Sequence, residues 1–162
     1  MLATQSYSQV LTEERDYYHY NGGTETIYTT ATGDLRNGYR IIYASVQLFL
    51  WKDPKDVELI LQFSELYHKQ SAWNLYNIYI EFDDGIQTKI LKPTGREKYL
   101  KNGLDILITS YDISYYIAQC RYKKINRIFF SQSSTGKFYS FVPVDGWIVN
   151  RQTDAILNKV GL

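Results

Sequence analysis

Residues 39–66 read YRIIYASVQLFLWKDPKDVELILQFSEL, and this stretch decides the fold. From Tyr39 to Trp51 the even positions Ile42, Ala44, Val46, Leu48 and Leu50 are all apolar, the period of two that puts successive side chains on opposite faces of a strand. The odd positions Tyr39, Ile41, Tyr43, Phe49 and Trp51 make the other face aromatic, so the segment reads as a central strand covered at least in part on both sides. Asp53-Pro54 then starts a type I turn, because Pro presets φ and Asp can bond back to the backbone. A second strand follows from Val57 to Leu66. Pairing Leu48 with Leu59 and Val46 with Leu61 keeps both apolar rows on one side and leaves Lys52 to Lys55 as the loop.

The same register argument extends outward. For Ile78 to Ile90, a loop of Asp84-Gly85 alone would set Phe82 against Gln87. The longer loop Asp83-Asp84-Gly85 instead pairs Phe82 with Ile86, Ile80 with Thr88 and Ile78 with Ile90, with Gly85 in the left-handed position of a bulge. A last hairpin joins Ile125 to Ser131 with Lys137 to Val142 and places Phe130 opposite Tyr139 and Ile128 opposite Phe141. Thr24 to Thr32 and Leu104 to Ile113 read as further strands. Residues 1–23 form a partly irregular segment with a short helix from Thr12, where Glu13 and Glu14 suit the first turn. Arg96 to Asn102 reads as a charged connection or one helical turn. A short helix is expected near 114–124, started by Asp112 or Ser114, and a C-terminal helix from Gly146 to Val160 with Asp145 as cap, Gly161 as stop and Trp147, Ile148, Ile156, Leu157 and Val160 on one side. The fold class is therefore mainly β, with antiparallel hairpins forming a twisted sheet or β-sandwich as one domain over 1–162.

Composition bounds the function. Sixteen Tyr and three Trp against one Met favour pleated, half-buried surfaces. A formal charge of +1 supplies no field for a phosphate polymer, so nucleic acid is not an expected partner. The longest apolar run, Ile41 to Trp51, is well short of the roughly 18 residues a membrane span needs. Met1 to Ser6 shows neither a basic nor an apolar leader region, so the chain as written carries no secretory signal. Cys120 is the lone cysteine, and His19 and His68 lack metal-ligand spacing, so neither a metal nor another cofactor is expected.

Two stretches also bear a likeness to a known group. Ile78 to Gly85, and Ile113 through Ile125 to Phe130 followed by Gly136 to Phe141, resemble segments of small exported β-rich proteins from gut Bacteroidetes, over about a third of the chain. That resemblance implies a periplasmic or cell-surface protein whose leader has been removed, and it carries no catalytic residues. Without it the chain reads as cytoplasmic.

Ser133-Ser134-Thr135-Gly136-Lys137 lacks the Gly and hydroxyl positions of a phosphate loop, and a hairpin loop explains it better. Glu81, Asp83 and Asp84 surround one turn; they could serve a hydrolase, as could Cys120 with His68, but turn formation and simple burial outweigh both. The basic run Arg121 to Lys124 with Arg127 reads as a solvated face. What remains is the aromatic excess. Tyr39, Tyr43, Trp51, Tyr76 and Tyr79 are the candidate ligand-binding residues of a non-catalytic domain that takes a glycan or a protein or peptide on an aromatic sheet face, although burial of the Tyr39 to Trp51 face in a core is the stronger expectation for that strand. The alternatives are the hydrolase and a cytoplasmic accessory or immunity-type protein-binding partner.

Overall fold

The computed structural model describes residues 9–16, 23–36, 41–52, 55–66, 76–132 and 136–162. Tyr39, His19, His68, the Asp53-Pro54 turn and Ser133 to Thr135 lie outside them. The described strands are β1 (Val10–Asp16), β2 (Thr24–Thr30), β3 (Gly33–Asp34), β4 (Ile42–Lys52), β5 (Lys55–Leu66), β6 (Tyr76–Phe82), β7 (Gly95–Lys101), β8 (Leu104–Asp112), β9 (Ile125–Gln132) and β10 (Phe138–Phe141). A 3-10 turn at Ser114–Tyr116 leads into α1 (Ile117–Tyr122), and α2 (Ile148–Lys159) closes the chain. All pairings are antiparallel: a large curled sheet runs β1-β2-β4-β5-β8-β7 with β3 beside β4, and a small one runs β10-β9-β6.

The 39–66 hairpin takes the register its apolar rows require, with Leu48 opposite Leu59 and Val46 opposite Leu61. Those rows, with Phe63 and Tyr111, meet Ile78, Ile80 and Phe82 of β6, Ile128 of β9 and Phe141 of β10 in one buried cluster. Phe63 and Phe130 bridge the two sheets edge to face, with centroids 5.9 Å apart. Val149, Ile156 and Leu157 of α2 and Cys120 of α1 fill the same cluster. Each fully buried aliphatic side chain contributes roughly 1.5–3 kcal/mol, so the two inner faces hold the layers together without a staple.

Several expectations need correction. The segment at Thr12 is strand β1, not a helix: Glu13 and Arg15 share a face two residues apart and bond at 3.1 Å, a spacing that helical side chains do not bring together. Arg96 to Lys101 is strand β7, tied to β8 by an Asn102-Gly103 turn whose φ values of +52° and +76° are those of a two-residue hairpin connection. In the 78–91 hairpin, Phe82 and Ile80 bond to Ile86 and Thr88 as the register argument requires, and Gly85 has φ +81°. Ile78, however, pairs with Leu91 and not Ile90. The extra residue arises where the Lys89 N–H donates to the Tyr116 hydroxyl at 2.8 Å and leaves the ladder. The odd face of β4 is not core: Ile41 and Tyr43 are exposed, and Phe49 and Trp51 are half-buried. On α2, Ile148, Ile156 and Leu157 are buried as expected while Trp147 is exposed; Asp145 accepts from the Trp147 N–H and Gly161, at φ +75°, ends the helix.

Candidate interaction face

The small sheet has two unlike faces. On β6, Ile78, Ile80 and Phe82 point into the core, which turns Asn77, Tyr79 and Glu81 outward. Register carries the same division across: β9 sends Phe130 and Ile128 inward and Arg127, Phe129 and Ser131 outward, and β10 sets Phe138 beside Ser131 and Ser140 beside Phe129 on the outer side. Tyr79 stacks on Phe129 with centroids 4.3 Å apart and planes 11° from parallel. Phe138 leans on both, 5.7 Å from Phe129 and 6.3 Å from Tyr79, and is 55% exposed. Three rings thus form a patch with one ring largely in solvent.

Polar groups rim the patch and bond among themselves. Arg127 Nη1 donates to Ser140 Oγ at 3.0 Å. The Glu81 carboxylate accepts from Asn126 at 2.7 Å and from Gln87 at 3.0 Å, and these donors, Asn126 foremost, hold it below its ordinary value. Arg127 lies opposite Glu81 in the register, so the two charges offset each other.

Of the residues singled out from the sequence, only Tyr79 lies on this patch. Tyr76 sits on the opposite side of β6, edge to face with Phe130 and Tyr139, and its carbonyl accepts the Tyr111 hydroxyl. Tyr43 and Trp51 lie on the outer face of the large sheet, eight residues apart on one strand and so separated by roughly 26 Å. Tyr39 lies outside the described residues. Phe129 and Phe138 were missed. The signal existed: once Phe130 faces Tyr139, the neighbours Phe129 and Phe138 must share the other side.

The large sheet's outer face has a different character. Glu58 lies there, and burial, then the carboxylates of Asp112, Asp56 and Glu25, raise its carboxyl above the ordinary value.

Among the described residues, the catalytic alternatives can be followed at Cys120 and at the Asp83-Asp84 turn, while His68 lies outside them. Cys120 is buried and its thiol is pushed up to about 12 by desolvation, so it supplies no thiolate. Asp83 and Asp84 sit at an exposed hairpin tip, where Asp84 accepts from the Ile86 N–H at 3.0 Å and pairs with Lys123. Among the described residues no group of three His, Cys, Asp or Glu could hold a metal ion, and no helix is long and apolar enough to cross a membrane. The basic run is divided: Arg121 clamps Asp154, Asn158 and the Leu162 carbonyl, while Lys123 pairs with Asp84. No protein family, curated protein or solved structure matches the chain.

Proposed function

We propose that this chain is an interaction domain whose contact surface is the outer face of the small sheet, centred on Tyr79, Phe129 and Phe138. The observation that carries the reading is the half-open ring stack, in which Phe138 stays 55% exposed while resting on two further rings. Rings fixed on a sheet lose little entropy on binding, and each aromatic contact adds about 0.5–1.5 kcal/mol beyond its buried area. A sugar ring or an apolar peptide side chain suits such a neutral patch.

The test is a titration followed by NMR, with cello- and chito-oligosaccharides in one series and a pooled library of short extended peptides in the other. Ring resonances of Tyr79, Phe129 and Phe138 shift with one series, and Phe138→Ala abolishes the response. No shift at these three residues in either series would overturn the reading.

A further inference from the structure

Besides its rings, the small sheet has an edge whose backbone groups follow from the ladder. Ile78 and Leu91 exchange two backbone bonds, Thr88 donates to Ile80, and Phe82 donates to Ile86, so the even residues of β6 bond toward segment 86–91. By antiparallel alternation its odd residues bond to Phe129 and Ser131, leaving Ile128, Phe130 and Gln132 of β9 for β10. The Gln132 N–H donating to the Lys137 carbonyl at 2.8 Å agrees with that phase. Lys137, Tyr139 and Phe141 therefore face β9, and the N–H and C=O groups of Phe138 and Ser140 face outward from β10. Among the described residues β10 ends its sheet's strand order, its FYSF sequence holds no charge, and Pro143 closes the usable edge after Val142.

Resting on the reading above, we infer that the occupant is a short, extended, uncharged peptide that adds to the small sheet as a strand beside β10, hydrogen-bonded to Phe138 and Ser140. Its side chains alternate between the two faces, so one lies beside Phe138 on the outer patch and its neighbour beside Tyr139, which is 43% exposed on the other face. An apolar pair at adjacent positions is the recognised feature. Charge supports this occupant: Arg127 and Glu81 lie opposite each other in the β6–β9 register and offset one another, and β10 itself, FYSF, carries no charge to recruit an ionic partner. Size favours a peptide over a second copy of the chain. A four-residue strand is about 13 Å long, and self-pairing along it falls well short of the roughly 1,200 Å² that stable dimers bury. A twofold seam would also bring Lys137 of one copy toward the Arg127 end of the other, cation toward cation.

The test uses a display library of random peptides of about ten residues, selected on the full chain. Selected peptides should share an adjacent apolar pair, and N-methylation at alternate positions should weaken binding by about tenfold or more, because it removes edge hydrogen bonds and leaves the side chains in place. Ser140→Pro, which deletes an outward N–H, should cause a similar loss while Ser140→Ala does not. Because the N-methyl arm alters only the ligand, it stands even if Ser140→Pro fails to fold. Peptides that bind but tolerate every N-methyl position overturn strand addition and leave the ring patch intact. Binding that survives Phe138→Ala overturns the patch itself. Selection of no peptide, or a concentration-dependent dimer seen by light scattering and lost in Phe138→Lys, overturns the peptide occupant.

Discussion

β7 and β10 are both outermost strands, yet they are built from opposite residue types. β7 reads GREKYLK and lines the end of the large sheet with Arg96, Glu97, Lys98 and Lys101. β1 ends the other side with the exposed Glu13, Glu14 and Arg15. Charges there oppose pairing with another chain, because an incoming strand would have to desolvate them. On the far side of the small sheet, segment 86–91 leaves strand geometry where Lys89 bonds to Tyr116. β10, flanked by Lys137 and Pro143, carries no charged residue within its own four positions and keeps an unbroken register with β9. Among the described edges this uncharged one is where the proposed strand addition is expected, and the ring patch beside it would give that edge selectivity.

The largest effect expected separates the inner from the outer side of the β9–β10 hairpin. Ile128→Ala empties a fully buried site and should cost roughly 2–5 kcal/mol in urea denaturation, whereas Phe138→Ala should stay within about 1 kcal/mol. Equal losses would mean that Phe138 is a core residue and not part of a contact surface. Next in size, Gly103→Ala forces a side chain into a left-handed turn position and should cost about 1–2 kcal/mol, with faster amide exchange in β7 and none of that change in β10.

Exchanging the guards alters association more than stability. Glu97→Thr with Lys98→Thr should open β7 and raise light scattering with concentration, while Phe138→Lys should leave it unchanged, each with a stability change of about 0.5 kcal/mol or less. Scattering that ignores the β7 exchange would make the contrast between the edges irrelevant. The smallest effect lies on the large sheet's outer face. Because the folded Glu58 carboxyl is raised by burial and then by Asp112, Asp56 and Glu25, its contribution is present below the unfolded value of 4.5 and is lost as pH rises through the folded value. Glu58→Gln should therefore raise Tm at about pH 7, and the gain should vanish below about pH 4.5. A gain that persists in acid would place its cause elsewhere.

The same contrast explains what was legible in the sequence. Leu48 with Leu59 and Phe130 with Tyr139 were readable because their strands bury one full face, so a slip by one residue would expose every apolar group. β1 and β7 were not, because the Glu, Lys and Arg that guard an edge also erase the apolar alternation by which a strand is recognised. For β7 the Asn102-Gly103 pair was the remaining local signal. The shift from Ile90 to Leu91 depends on a hydroxyl from Tyr116, far along the chain, which no local pattern contains. At the candidate site Tyr79 was readable as an outward ring, but its partners required the registers of two hairpins taken together.

The most direct measurement is amide hydrogen exchange along β10, residue by residue. Tyr139 and Phe141 should be protected through their bonds to β9, Phe138 and Ser140 should exchange freely, and a selected peptide should slow those two. Uniform protection across Phe138–Phe141 in the unbound chain would contradict the open edge on which the proposed mode of binding depends.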